Sequence, residues 1–398
     1  MTPAIEAPPD EAALADLIRA AEDPLAIEGN GTKRGMLRPV QAARTVSVRA
    51  LTGITLYAPQ ELVISARAGT PLPEIEAALA ERGQHMIAEP PDLTWLWQGG
   101  TQTLGGVVAA NLSGPRRIAW GATRDHLLGV RAVNGVGEVI RSGGRVLKNV
   151  TGLDLCKLIA GSQGTLAVMT EATLKVLPAP EATATLAIAG LDADRAREAM
   201  SVGLGSPYGI SGAAFLPVEA ASWLPDLAGR SATLLRLEDF AASVSYRTGR
   251  LREELARFGE VEVIADEASR AIWRSVRDAQ PLAPETDHAV WRVSVRPTSG
   301  PGVLAALAPR GVRGFLDWGG GLAWLAGPAD EATHAAVVAA AMADGGTWML
   351  MRGPHALRAS VAVIPPDPAP LARIGARVKA AFDPKGLFSP GRMRAGAG

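Results

Sequence analysis

The residues that could do chemistry in this chain are concentrated in four glycine-rich segments of its first half. In the first, Gly29-Asn30-Gly31-Thr32-Lys33-Arg34-Gly35, glycines leave backbone N–H groups unobstructed by Cβ atoms and Lys33 adds a cation. Such a run can cradle anionic oxygens. Its spacing is neither the dinucleotide fingerprint G-x-G-x-x-G nor the P-loop G-x-x-x-x-G-K-[ST], so the common Rossmann and NTPase readings fall away. Taken alone, a plain turn fits it as well as a phosphate site does.

The second segment, Gly99-Gly100-Thr101-Gln102-Thr103-Leu104-Gly105-Gly106, runs on through small residues to Asn111. So many glycines around two threonines permit close approach of a flat ligand or close packing of backbone on backbone. The third is Trp120-Gly121-Ala122-Thr123-Arg124-Asp125-His126, a loop entering a strand. The fourth begins at Lys148 and reaches Gly161-Ser162-Gln163-Gly164-Thr165, ahead of an apolar run that includes Val168. Asp154 and Lys157 within it are spaced to pair one turn apart on a helix.

Outside these segments, arginine forks could hold a carboxylate, and Arg116, Arg117 and Arg352 are placed for that role. Arg124 reads as a structural partner of Asp125 or of a phosphate. The five histidines, at positions 85, 126, 288, 334 and 355, show no H-x-x-x-H or H-E-x-x-H spacing, so no metal site is expected. The single cysteine, Cys156, lies among leucines and reads as core, and it rules out an internal disulfide. Of nine tryptophans most should be core. Trp95-Leu96-Trp97 could instead anchor a partner protein.

These segments need elements to hold them. Asp10 can cap a helix carrying Leu14, Leu17 and Ile18, and residues 25–28 form a strand that opens into the first loop. Residues 45–49 and 62–68 alternate as half-buried strands do, and Pro71 starts a helix closed by Gly83. Strands over 130–133, 138–140 and 165–168 follow. Pro178 and Pro180 punctuate the chain, and a domain boundary is expected there. Beyond it, strands near 183–189, 213–216, 233–237, 261–264, 290–295, 314–318, 322–325 and 347–351 alternate with helices, as a duplicated β-α-β arrangement beside an antiparallel sheet would. A last helix sets Leu371, Ile374, Val378 and Phe382 in register.

At 398 residues two domains are the natural prior. Forty basic residues balance forty acidic ones, so no global field draws nucleic acid. No apolar stretch is long enough to span a membrane. The proline-rich, acidic first ten residues look unlike a secretory signal, and a cytoplasmic protein is expected.

Together the four segments resemble the FAD-binding vanillyl-alcohol oxidase / p-cresol methylhydroxylase family. The resemblance covers about residues 25 to 178, through the strings GATRD and KNVTGLDLCKLIAGSQGTLAVMTEATLKV, and extends to the tail FDPKGLFSPGRM at 382–393. It implies an α+β fold: a two-lobed PCMH-type FAD-binding domain over 1–178, then a smaller ferredoxin-like cap over 181–398 whose tail returns to the flavin. Implied cofactor contacts are Gly29, Asn30, Gly31, Thr32 and Lys33; Thr103, Leu104, Gly105, Gly106 and Asn111; Gly121, Ala122, Thr123 and Asp125; and Gly161, Gly164, Thr165 and Val168. The first loop has no histidine, so FAD should be held without a covalent link.

The likeness runs to the E-subunit branch of bacterial glycolate oxidases. It implies an FAD-carrying subunit that handles electrons from oxidation of glycolate, or a similar small 2-hydroxy acid, beside a second flavoprotein and an iron–sulfur subunit. Those partners could hold it at the inner face of the membrane. Alternatives are a self-sufficient FAD-dependent 2-hydroxy acid oxidoreductase and a non-catalytic flavin-fold scaffold. The catalytic residues stay unassigned, with Arg117, Lys148, Arg352 and Arg392 as the charged candidates near substrate or flavin. The histidine motif of the glycolate oxidase D subunits is missing.

Overall fold

The computed structural model describes residues 5–97, 99–144, 153–222, 229–283 and 287–396, so the candidate Lys148 lies outside the described residues. Asp10 accepts a hydrogen bond from the Ala13 N–H at 2.8 Å and starts the helix Glu11–Ala20, which buries Leu14 and Ile18. The strands Ile5–Glu6, Arg44–Ser47 and Leu25–Glu28 form a small parallel sheet with Arg44–Ser47 in the middle. A second, antiparallel sheet runs in the order Ile54–Ala58, Val63–Arg67, Val168–Pro178, Leu127–Val133, Val139–Gly143. Its central strand, Val168–Pro178, is long enough for its far end to pair also with Gln84–Met86. Both sheets share one apolar core, in which Leu25 and Val46 of the first meet Ile64, Val130 and Val168 of the second.

After Pro178 the chain builds a different sheet. Strands Ala182–Ala189, Gly212–Leu216, Ala232–Asp239 and Val261–Ala265, with helices Ala193–Gly205 and Ala241–Leu255, make a βαββαβ unit of spatial order fourth, first, third, second. Strands Ala289–Ser294, Arg313–Asp317, Leu322–Gly327 and Thr347–Arg352, with helices Gly300–Leu307 and Glu331–Met342, repeat it in mirror order. The two units join through their second strands, where Phe215 faces Leu316. Because the ferredoxin-like unit occurs twice, the cap expected to be smaller carries the largest sheet among the described residues, with eight strands.

Two devices tie the halves together. The first is a buried charge quartet: Arg236 forks onto Glu89 at 2.9 and 3.0 Å, and Arg116 forks onto Glu238 at 2.7 and 3.1 Å. Arg116 and Glu89 precede the boundary strand and Arg236 and Glu238 follow it, so each pair crosses the interface. Ser211 donates to Glu238, Arg236 donates back to Ser211, and the Arg236 guanidinium lies 4.7 Å from the Trp273 ring centre. Burial works against ionisation of both glutamates, but the two arginines hold Glu238 and Glu89 below the usual carboxylate range. Arg116, expected as a free carboxylate ligand, is therefore consumed inside the protein.

The second device is the tail. Leu387 and Ser389 exchange backbone hydrogen bonds with Leu25, which extends the small sheet by one bridge at Phe388, and Phe388 is fully buried in the N-terminal core. Asp383 fixes this turn by accepting from the N–H groups of Leu387 and Phe388 and from Lys379 Nζ.

Trp95 and Trp97 are not set aside for a partner protein. Their indoles donate to the carbonyls of Asp278 at 2.7 Å and Met351 at 2.6 Å, so they clamp the chain's own C-terminal half. The last helix, Ala369–Phe382, departs from its expected packing: Leu371 and Ile374 are 56% and 58% exposed, because no described element lies against that face. Strand formation after the fourth segment begins at Val168 rather than at position 165, since Thr165 donates back to the Ser162 carbonyl in a turn. Among the described residues no helix is long and apolar enough to cross a membrane.

Replacing Arg236 by Met should destabilise the fold by about 3–5 kcal/mol, because it strips the buried Glu89 carboxylate of its two-pronged partner. Since both glutamates titrate lower in the folded state than the ordinary value near 4, the wild type should hold its quartet stability above that pH and lose it as the pH falls further. Chemical denaturation between pH 3 and pH 7 checks both; a flat profile with an unchanged midpoint in Arg236→Met would contradict the quartet's role.

Candidate functional site

The first two glycine-rich segments meet face to face. Asn30 donates to the Thr101 carbonyl at 2.9 Å and Lys33 Nζ donates to Gln102 Oε1 at 2.7 Å. The glycines are required here by contact: a Cβ on Gly29 would lie 2.2 Å from Thr103 Oγ1, and one on Gly99 would lie 2.7 Å from Thr32 Cα. Gly31 adds a left-handed backbone, φ 71°, which a β-branched side chain rarely adopts. Thr103 caps the helix Leu104–Ala110 by accepting from the Gly106 N–H.

Beneath this junction lies a cavity of about 360 Å³, within the range of small-molecule sites. The first loop, the Thr103–Gly106 turn, the Ser162–Gly164 turn and Val168 line it, and from the tail come Ser389 and Arg392. A roomier hollow of about 1150 Å³ in the C-terminal half has no glycine cradle, and acids (Asp192, Asp194, Glu219) outnumber its one arginine, Arg313, so we regard the smaller cavity as the site.

Its charge is one-sided. Glu28 is the sole acid of the lining among the described residues, and Arg34 matches it in a two-pronged pair. Lys33, Arg358 and Arg392 have no carboxylate partner among the described residues. Arg392 donates to the carbonyl of Lys33 at 2.6 Å, and Arg358 to that of Leu37 at 3.1 Å. Burial pushes Lys33 down to about 8 and Arg392 down to about 10, and the charges of Asp92 and Glu28 offset only part of that loss of water. A glycine cradle with one buried cation, Arg392, and two half-buried ones, Lys33 and Arg358, suits an elongated, doubly anionic ligand.

The sequence-derived contacts divide accordingly. Gly29, Asn30, Gly31, Thr32, Lys33, Thr103, Gly105, Gly106, Gly164, Val168 and Arg392 face the cavity. Leu104 does not, being packed in the core. Gly161 and Asn111 stand behind the wall: a Cβ on Gly161 would touch the Asn111 side chain at 3.3 Å, and Asn111 Oδ1 accepts from the Arg124 N–H. Thr165 is spent on its own turn. The third segment also lies off the cavity, because its polar groups satisfy one another: Asp125 accepts from the Ala122 N–H and Thr123 donates to the Leu112 carbonyl. Gly121, at φ 88°, makes room for that Asp125 side chain.

Arg352 is held by two hydrogen bonds to the His288 carbonyl, and Arg117 lies against Trp318, both away from the cavity. Ser162 and Gln163, from the block 161–165 named in the sequence, line it, and so do Ser389 and Arg358, which were not singled out; Arg358 carries no local signal. Among the described residues no three His, Cys, Asp or Glu side chains group as metal ligands would.

Comparison with known proteins agrees with this geometry. Residues 2–143 match the family pattern described as an FAD binding domain. The chain is 35% identical over 374 residues to glycolate oxidase subunit GlcE of Escherichia coli (strain K12), covering 94% of this chain and 93% of that one. It is 30% identical over 179 residues to glycolate oxidase subunit GlcD of Bacillus subtilis (strain 168), covering 45% of this chain and 38% of the relative. Among solved structures, 4-ethylphenol oxidase from Gulosibacter chungangensis superposes with a TM-score of 0.70 at 13% identity, over 98% of this chain and 88% of that one, which establishes the shared fold.

Gly31→Val should cost more cofactor than stability, because the strained backbone, about 1–2 kcal/mol, falls where the cradle must open to its ligand. Flavin content per folded chain is the readout; equal content in mutant and wild type would remove the loop from the site. A bound anion favours protonated Lys33, so FAD affinity should be level below pH 8 and weaken as pH climbs above it. Lys33→Met should flatten that dependence in a fluorescence titration, and a wild-type affinity indifferent to pH between 7 and 10 would contradict it.

Proposed function

The chain belongs to the glycolate oxidase E-subunit branch of the PCMH-type FAD-binding family, and on that footing we propose that it is the FAD-carrying subunit of a glycolate-oxidising complex. The observation that carries the reading is the glycine cradle with three cations that lack a carboxylate partner among the described residues, set in a chain similar to GlcE along nearly its whole length. Lys33, Arg358 and Arg392, with the backbone of the first loop and the Thr103–Gly106 turn, would hold the pyrophosphate. FAD, when bound, supplies the two-electron chemistry of 2-hydroxy acid oxidation and the means to hand electrons on.

The residues present do the rest. The tail's Arg392 donates to the Lys33 carbonyl and so ties the C-terminal segment to the first loop. No histidine, cysteine or tyrosine stands among the described lining residues, which favours FAD held without a covalent bond. Substrate machinery is thinner. His85 is tied to Arg116 and, through burial and that neighbour, pushed down to about 4, so it is a poor proton acceptor at neutral pH. His334 accepts from the Trp291 indole. An electron-relaying subunit working beside a second flavoprotein and an iron–sulfur protein, attached through them to a membrane face, accounts for this imbalance.

Acid precipitation should leave yellow FAD in the supernatant; colour in the pellet would show a covalent link. The flavin-loaded chain alone should turn over glycolate or D-lactate with an artificial acceptor only feebly, and activity should appear on co-expression with the partner subunits. Comparable turnover in both preparations would make the chain a self-sufficient oxidoreductase.

A further inference from the structure

Helices of similar length in the cap each bury a stripe, Val244, Leu251 and Leu255 in Ala241–Leu255 and Val337 and Ala341 in Glu331–Met342, whereas none of the residues of Ala369–Phe382 is buried. Only its last turn is fastened. Lys379 Nζ donates to the carbonyls of Thr165 at 2.8 Å and Phe388 at 3.2 Å and to Asp383, and the Phe382 carbonyl accepts from the Gly135 N–H. The rest stands out with Leu371 and Ile374 in solvent, although Leu371, Ile374, Val378 and Ala381 repeat at the three-and-four spacing of a seam that packs against another helix.

Charge narrows what can cover that seam. The helix carries three cations, Arg373, Arg377 and Lys379, and no acid. The acids that flank it in sequence are spent, Asp367 on Arg394 and Asp383 on Lys379, each at 2.7 Å. Arg373 and Arg377 are exposed, fall on one side of the seam, and have no carboxylate partner among the described residues. A second copy of this chain would set like charges against one another. A bilayer surface calls for an apolar face wider than a seam bordered by Ala372 and Gly375. A protein helix whose apolar stripe is flanked by carboxylates satisfies both the seam and the arginines.

Placement narrows it further. Thr165, to which the helix is tied, directly follows Gly164 in the wall of the cofactor cavity, and the tail that continues the helix supplies Ser389 and Arg392 to that wall. A partner seated along the helix therefore reaches the edge of the cofactor site, where an electron carrier is needed. We propose that the helix Ala369–Phe382 is the docking surface for the electron-accepting iron–sulfur subunit, which meets it with an acidic, apolar-striped helix. The choice of that subunit rests on the function proposed above; the docking of an acidic helix rests on the seam and its arginines.

The test measures binding of the purified iron–sulfur subunit to the full, flavin-loaded chain by calorimetry at low and high salt. The wild type should bind, more weakly as salt rises. The double variant Leu371→Asp with Ile374→Asp should weaken binding at least about tenfold. Arg373→Glu with Arg377→Glu should weaken it by a similar factor and remove most of the salt dependence. Both pairs are exposed, so flavin content, melting temperature and binding of the second flavoprotein should stay as in the wild type; should one pair fail to fold, the other decides. Folded variants that bind the iron–sulfur subunit as tightly as the wild type overturn the docking surface and leave the proposed function in place. Loss of the second flavoprotein instead, loss of binding to phosphatidylserine vesicles, or a wild-type dimer that the variants abolish assigns the helix to another occupant and overturns it equally. A wild-type chain that binds neither subunit sinks the proposed function, and this surface with it.

Discussion

Uncompensated positive charge buried beside a glycine cradle is the constraint around which this molecule is arranged. Lys33, Arg358 and Arg392 come from three distant parts of the chain, and each loses water without gaining a carboxylate among the described residues. Such a cluster is unfavourable in the empty protein and becomes favourable once an anion fills it. The surrounding elements serve to keep those charges together: the first loop abuts the second through glycines that leave no space for a Cβ, and the tail is sewn onto Leu25 so that Arg392 reaches the loop.

The cap is held by charge as well, but there the charge is balanced. Glu89, Arg116, Arg236 and Glu238 alternate in sign and satisfy one another with Ser211 and His85. A hydrophobic seam of the same size would hold the halves at least as firmly. The quartet instead fixes their register, since each two-pronged pair accepts one geometry. Arg236 forks onto Glu89 and also stacks on Trp273.

Much of the fold was legible because local patterns and tertiary structure agree. Asp10 caps the helix it promises, and the two loops with the most glycines are the ones in closest contact. The tail's return could be read only through resemblance, as no spacing rule links Ser389 to Leu25 across most of the chain. The third segment stands outside the lining of that cavity: Asp125 accepts from the Ala122 N–H within the turn, and Thr123 bonds back to Leu112 and Ser113. Arg236 illustrates the opposite failure. An arginine amid the apolar residues of the strand Ala232–Asp239 is a visible signal of a buried ion pair, but its partner Glu89 lies in another sheet's loop and nothing in the sequence names it.

The central claim, that buried cations and a glycine cradle recognise a pyrophosphate, is tested most directly by titrating the flavin-stripped chain with FAD and with riboflavin, which shares the flavin ring and lacks the pyrophosphate. Several charge-assisted hydrogen bonds separate the two ligands, so FAD should bind at least about a hundredfold more tightly. Equal affinity for FAD and riboflavin would contradict the account, because the cationic cavity would then contribute nothing to recognition.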